Sequence, residues 1–291
     1  MGFISDSAGS CLNYLNDFHF HEIMQRSIDL DFSRNAIVLA PHEDDEMLGV
    51  GILLQRFCGH VKVVFMTDGA PISGYPMKKR MLPSPIMSRE EYADIRKGES
   101  VLAANTIGLK ESDLAYIGAE DSGLSHVLVD TCEALRGMIS SFNPYYIFFP
   151  AYEGGHPDHD ATAAIAKALS HYDDLREISF FEYALYSSPD GLKIFNEFQD
   201  ASSGDIRIIA EHDERNIKKE AVSCYKSQLG GLLGNFSIER ETIRPARFDR
   251  IDGSIPTGKT YLERFYGLDS SVARRSYDSI RKFLESLPRS V

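Results

Sequence analysis

Asn35-Ala36-Ile37-Val38-Leu39-Ala40-Pro41-His42-Glu43-Asp44-Asp45-Glu46 runs from an unbroken apolar stretch, through a proline, to a histidine and a string of acids. The branched aliphatic run carries no polar alternation, so it reads as a strand covered on both faces. From Asp45 to Phe57 apolar residues recur every three or four positions, the pattern of a helix with one buried face. Gly49 and Gly51 lower its helix propensity but let it pack closely on a sheet. A buried strand feeding a helix through a short turn opens an α/β unit. A dinucleotide-binding turn of that kind needs a glycine fingerprint, and the carboxylates found here would repel a pyrophosphate, which argues against nucleotide binding at this turn.

Working outward, Val61 to Thr67, Leu114 to Ile117 and Tyr145 to Phe149 are further short runs of branched and aromatic residues, and Ser88 to Thr106 and Val127 to Ser141 are further helical patterns. Strand and helix alternate, which implies a parallel sheet with right-handed crossovers. The expected fold class is therefore α/β, a Rossmann-like three-layer fold with a mostly parallel sheet. Beyond residue 175 the pattern loosens. Ile178 to Tyr186 and Ile206 to Ala210 read as strands, Asp213 to Tyr225 as a helix and Ser270 to Leu287 as a terminal helix. The length suits one domain over residues 1–291, with a core at about 35–230 and a C-terminal extension over 235–291. The Gly230 to Gly234 segment and the loop from Asp252 to Lys259 are candidates for a flexible cover. Apolar residues between Gly230 and Phe236 serve an interface between copies as readily as a lid, so a homo-oligomer stays open.

A second cluster, His156-Pro157-Asp158-His159-Asp160, follows the Tyr145 to Phe149 strand. Ligands of open parallel sheets sit at the carboxyl ends of the strands, so the two turns can converge across the long gap between them. Convergence of His42, Asp45 and His159 would supply two imidazoles and a carboxylate, a ligand set of catalytic zinc with one position open for water. Such an ion generates hydroxide near neutrality. Iron(II) or cobalt(II) could use the same donors. Asp44 is then placed to take the water proton, His156 to support an oxyanion or protonate a leaving amine, and Asp158 to orient that histidine. The bland account of each cluster is a cap or turn at a helix start. Two such clusters after strands, with complementary ligand types, favour the metal-centred reading.

Acidic residues outnumber basic ones, 43 against 31, and the formal charge of -12 argues against nucleic acid or anionic lipid as the main partner. Cys11, Cys58, Cys132 and Cys224 form no CxxC pair and fit free thiols. No signal peptide is evident, and no run approaches the length of a membrane span. A cytoplasmic enzyme acting on a small molecule is expected.

Residues 41–46 resemble the A-H-P-D-D-E element, and residues 156–159 the H-P-D-H element, of the PIG-L/LmbE-like zinc de-N-acetylases. Arg96-x-x-Glu99 with Ala103 and Gly108, then Asp121-Ser122-Gly123-Leu124, then Ala221-x-x-x-Tyr225-x-Ser227-Gln228 match further, in the family's order. The resemblance implies a Rossmann-like fold and removal of acetyl from an N-acetylated amino sugar, commonly a glucosamine conjugate. It implies His42, Asp45 and His159 as zinc ligands, Asp44 as general base, and His156 as oxyanion stabiliser or acid with Asp158 beside it. Arg96 and Asp121 fall where family members contact the sugar. The alternatives are another metal-dependent amide or ester hydrolase, or a non-catalytic metal- or ligand-binding protein.

The chain departs from the family pattern at Pro41 and at Glu43, where proline usually follows the first histidine. Glu43 reads as a harmless surface side chain, or as a charge at the pocket mouth that favours a cationic substrate. Asp68-Gly69 reads as a substrate contact or a plain turn. His19, His21, His60, His126, His171 and His212 lack ligand-like neighbours, and Tyr152 and Glu153 receive no catalytic role.

Overall fold

The computed structural model describes residues 30–71, 87–229 and 231–288; Cys11, His19, His21, the Lys78-Lys79-Arg80 cluster and Gly230 lie outside them. β1 (Ala36–Ala40) runs parallel between β2 (Val61–Pro71) and β4 (Tyr146–Pro150), with Ala36 opposite Val61 on one side and Tyr146 on the other. β3 (Leu114–Asp121) lies parallel outside β2, and β5 (Ser179–Tyr183) parallel outside β4. The resulting order β3-β2-β1-β4-β5 reverses direction between β1 and β4, which opens a crevice at their carboxyl ends. Short strands β6 (Tyr186–Ser187) and β7 (Ile194–Phe195) pair with each other. The main sheet is completed by β8 (Ile206–Ile209) and β9 (Arg240–Pro245), with β9 antiparallel to both β5 and β8.

Helices cover both faces. α1 (Asp45–Arg56), α2 (Arg89–Thr106) and α5 (His212–Val222) pack together on one side; α3 (Leu128–Phe142), α4 (Pro157–Leu169) and α7 (Ser270–Glu285) pack on the other. Between them comes the short α6 (Tyr261–Phe265). This is the three-layer α/β fold expected from the alternation of runs. β1 is buried at every position, and its Ile37 and Leu39 join Leu135, Ile165, Ile280 and Phe283 in one apolar cluster. No described helix is long and apolar enough to cross a membrane. Among described cysteines, Cys58, Cys132 and Cys224 are free thiols.

α1 carries the structural cost of its glycines for a visible reason. A Cβ on Gly49 would lie 2.5 Å from the Tyr183 ring of β5, so only glycine allows that approach. One residue later Val50 leaves helical geometry, with φ −141°. Glu241 of β9 repairs the break by accepting from the Ile52 N–H at 2.6 Å and the Leu53 N–H at 3.1 Å. Lys218 of α5, itself fully buried, donates to that carboxylate at 2.7 Å.

The chain after residue 235 is tied into the frame. The Tyr277 hydroxyl of α7 donates to the Asp160 carboxylate, which also accepts from the Glu153 and Gly154 amides ahead of α4. The Tyr152 hydroxyl donates to Ser254 O, and the Tyr261 N–H to Gly154 O. Residues of the 252–259 loop thus pack against the β4 exit.

Candidate metal centre

His42 and Asp45 leave the end of β1; His156 and His159 leave the end of β4; Asp121 ends β3. The crevice between β1 and β4 brings all five side chains together. Asp45 Oδ2 lies 3.0 Å from His42 Nδ1 and 3.2 Å from His159 Nε2. His42 Nε2 lies 3.3 Å from Asp158 Oδ2 and 3.4 Å from Asp121 Oδ1. His156 Nε2 lies 3.8 Å from Asp121 Oδ1. All are buried. The donor atoms of His42, Asp45 and His159 lie close enough together to share one metal ion.

Two observations test whether this set suits a cation. His159 Nε2 is buried with no hydrogen-bond partner, although Asp45 Oδ2 is near. A buried ring nitrogen without a well-formed hydrogen bond is suited to holding a cation. Second, burial alone would lower the basicity of His42, yet Asp121, Asp158 and Asp45 outweigh it and hold the ring well above its ordinary pKa. The field that retains a proton on His42 is one that favours a positive ion. The Asp45 carboxyl, in spite of burial, is held far below the usual range by His159 and His42. The residues fit a divalent metal.

The α4 start is locally determined. Pro157 occupies the first helical turn, and His156 is the N-cap, its Nδ1 accepting from the Asp158 N–H at 3.1 Å. Asp158 is fully buried; its carboxylate also accepts from the Ser122 N–H at 2.5 Å and the Leu124 N–H at 3.2 Å. The expectation that Asp158 orients His156 is therefore refined. The carboxylate reaches His42 Nε2 and also lies 3.8 Å from His156 Nδ1, while the Asp158 backbone amide fixes that ring. A carboxylate behind a ligand histidine sets ring orientation and raises its donor strength.

Asp44 stands at the N-cap of α1 with φ 147°, a conformation costly for any residue but glycine. Glu46 Oε2 accepts the Asp44 N–H at 3.1 Å, and Glu46 Oε1 receives the Tyr225 hydroxyl. Burial pushes the Glu46 carboxyl up to about 8 and the Asp44 carboxyl up to about 7, the latter against the opposing charge of Arg96. Glu46 and Tyr225 form a brace that the sequence reading missed; the match at Tyr225 was the available signal.

Glu43 is neither on the surface nor at the pocket mouth: its exposure is 1%. It lies beneath the turn beside Arg96, with Oε2 3.9 Å from the guanidinium, and burial raises its carboxyl to about 7. Arg96 lines the cavity but is only 3% exposed. It donates to Glu43 O at 2.5 Å and Gly69 O at 3.3 Å, and lies 3.4 Å from Asp44 Oδ1. Gly69, with φ +60°, has no room for a side chain against Glu43 and Arg96. Asp68 binds Arg89 and the Ala70 and Asp121 amides, so it braces the β2 end.

Above these groups opens a cavity of about 550 Å³, whose floor includes His42, Asp44, Asp45, Asp121, His156 and His159. Its outer wall includes Ser227, Gln228, Leu229, Leu232, Leu233 and Phe236, with Phe265 and Tyr266. The Gly230 to Gly234 region, expected as a cover, thus contributes its described residues Gly231, Leu232 and Leu233 to the cavity wall.

Comparison with known proteins extends the picture. The zinc-inhibited form of teicoplanin deacetylase superposes with a TM-score of 0.56 at 20% identity, over 72% of this chain and 97% of that one. The A40926 pseudoaglycone deacetylase gives 0.56 at 21%, over 74% and 97%. The conserved protein TT1542 from Thermus thermophilus gives 0.50 at 21%, over 74% and 95%. At these identities the likeness is one of fold. No curated protein matches the chain significantly. The family model PIG-L, described as GlcNAc-PI de-N-acetylase, matches residues 37–170, a span that holds both histidine-acid turns.

Proposed function

We propose that the chain is a metal-dependent amide hydrolase that removes the N-acetyl group from an amino sugar or a glycoside bearing one. The observation that carries this reading is the buried meeting of His42, Asp45 and His159, with His159 Nε2 left without a hydrogen bond. Zinc suits two imidazoles and a carboxylate; iron(II) and cobalt(II) are the alternatives. A bound ion of this kind supplies Lewis acidity toward water and the acyl oxygen. The family description and the fold neighbours named as deacetylases, one in a zinc-inhibited form, support the acetyl group and the metal.

Asp44, with a carboxyl raised to about 7, is matched to neutral pH as a general base. It takes a proton from the attacking water and returns it to the departing amine. Arg96, 3.4 Å away, balances its charge without leaving the protein interior. His156 has its role narrowed by its Nδ1, which accepts from a backbone N–H. The neutral ring must then carry its proton on Nε2, the nitrogen nearer Asp121. Burial, helped by nearby His42, lowers its pKa to about 4, so the ring stays neutral near pH 7. It serves as a hydrogen-bond donor to the developing oxyanion and not as the acid.

The test is direct. Purified protein should contain a divalent metal in near-equal amount and release acetate from N-acetylamino sugars, not from simple acyl esters. Asp44→Asn should keep its metal and lose at least about 100-fold in turnover. Undiminished turnover in that variant refutes the base assignment, and release from esters alone moves the reading to an esterase.

A further inference from the structure

The cavity divides sharply by chemistry. At the carboxyl ends of the strands its lining is mainly polar, with Leu48 and Pro71 beside the histidines and acids. Its outer wall presents Leu229, Leu232, Leu233, Phe236, Phe265 and Tyr266. The polar residues at the junction, Ser227 and Gln228, are already engaged: Ser227 binds Glu99 through both its amide and hydroxyl, and the Gln228 amide donates to the Tyr92 hydroxyl. Their hydroxyl and amide N–H groups are thereby spent on the protein, which leaves few donors there to read the hydroxyls of another sugar ring. The wall is also preformed. The Phe236 ring packs 5.2 Å from Phe195 and 6.2 Å from Tyr186, and Tyr186 in turn lies 5.1 Å from the His159 ring. Leu229 is 61% exposed, an apolar side chain at the cavity edge with surface still to cover. A volume of about 550 Å³ is that of a drug-sized ligand rather than of one sugar ring.

From this division we infer that the substrate carries an apolar substituent, alkyl or aryl, at the end remote from the acetamide, in place of a second sugar. The inference rests on the deacetylase reading for the acetamide end. The sugar's N-acetyl group meets the polar floor, and the substituent lies along Leu229, Leu232, Phe236 and Phe265. Burial of apolar surface there supplies affinity without hydrogen-bond partners.

The test uses the metal-loaded full chain with methyl, butyl and hexyl glycosides of N-acetylglucosamine, and with N,N'-diacetylchitobiose as the second-sugar probe. The matching free-amine glycosides are measured in parallel by calorimetry, so that binding is read apart from turnover. Each methylene should raise kcat/KM and amine affinity about 3- to 4-fold, the worth of a buried CH₂. The five methylenes from methyl to hexyl should together give about 200-fold or more, and the disaccharide should do no better than the methyl glycoside. Leu232→Asn or Phe265→Asn should bring the hexyl-to-methyl ratio toward one. Equal affinities along the series, or preference for the disaccharide, overturn the inference. Affinity that climbs with chain length while no probe releases acetate sinks the deacetylase reading and leaves the apolar subsite standing. Acetate release with a flat series does the reverse.

Discussion

Asp44 holds its φ of 147° because Glu46 grips its amide from behind and Tyr225 grips Glu46. Neither bracing side chain belongs to the reacting set, so their effect should fall on geometry. Tyr225→Phe should cut kcat about tenfold with KM and metal content kept, since small displacements of a reacting group are costly. Steady-state kinetics beside metal analysis checks this, and an unchanged kcat would mean the brace serves the fold alone. The histidines and acids of the two turns were legible in the sequence because few residue types bind metals and both turns follow buried strands. Glu43 was not, since its partner Arg96 stands on α2, more than fifty positions away, and only their meeting makes a buried carboxyl tolerable. Arg96 was legible as a residue near the site. Its near-complete burial under Asp44 was not.

At the scale of elements, the strands and helices of the first 170 residues follow their apolar patterns, with ends displaced by a few positions. β2 runs on to Pro71, through the Asp68-Gly69 pair, and β3 to Asp121. β9 escaped notice for a physical reason. Its sequence Arg240-Glu241-Thr242-Ile243-Arg244-Pro245 reads as a polar loop, yet Glu241 and Arg244 are buried against Lys218 and Glu182. Paired charges hide a strand flanked on both sides, by β5 and β8. Lys218→Met leaves the buried Glu241 carboxylate without its counter-charge, held only by two backbone amides, and should cost about 3 kcal/mol or more of stability in urea unfolding. Adding Glu241→Gln should recover part of the loss. Wild-type stability in the single variant would mean the pair does not hold the broken α1 together.

For the whole molecule, the buried acids set a pH dependence. Glu43, Asp44, Glu46, Glu153 and Asp160 are raised by burial to between about 7 and about 8. Unfolded, they ionise near pH 4, so between those values the folded chain retains protons that the unfolded chain has lost. Rising pH then favours unfolding. His156, lowered to about 4, opposes this only while the unfolded ring still titrates, up to roughly pH 6.5. The metal-free protein should therefore melt about 3 °C or more lower at pH 8.5 than at pH 6.5. Glu153→Gln, away from the ligand residues, should shrink that difference. A melting point that climbs over the same interval contradicts the argument. Asp158 adds a last consequence. One carboxylate touches the imidazole from the β1 turn and two amides from the β3 turn, while rooted in the β4 turn itself. It is the keystone of an arch with three springers: lengthening any one of those turns would shift the other two, so sequence drift there has to be concerted while the outer wall stays free to diversify.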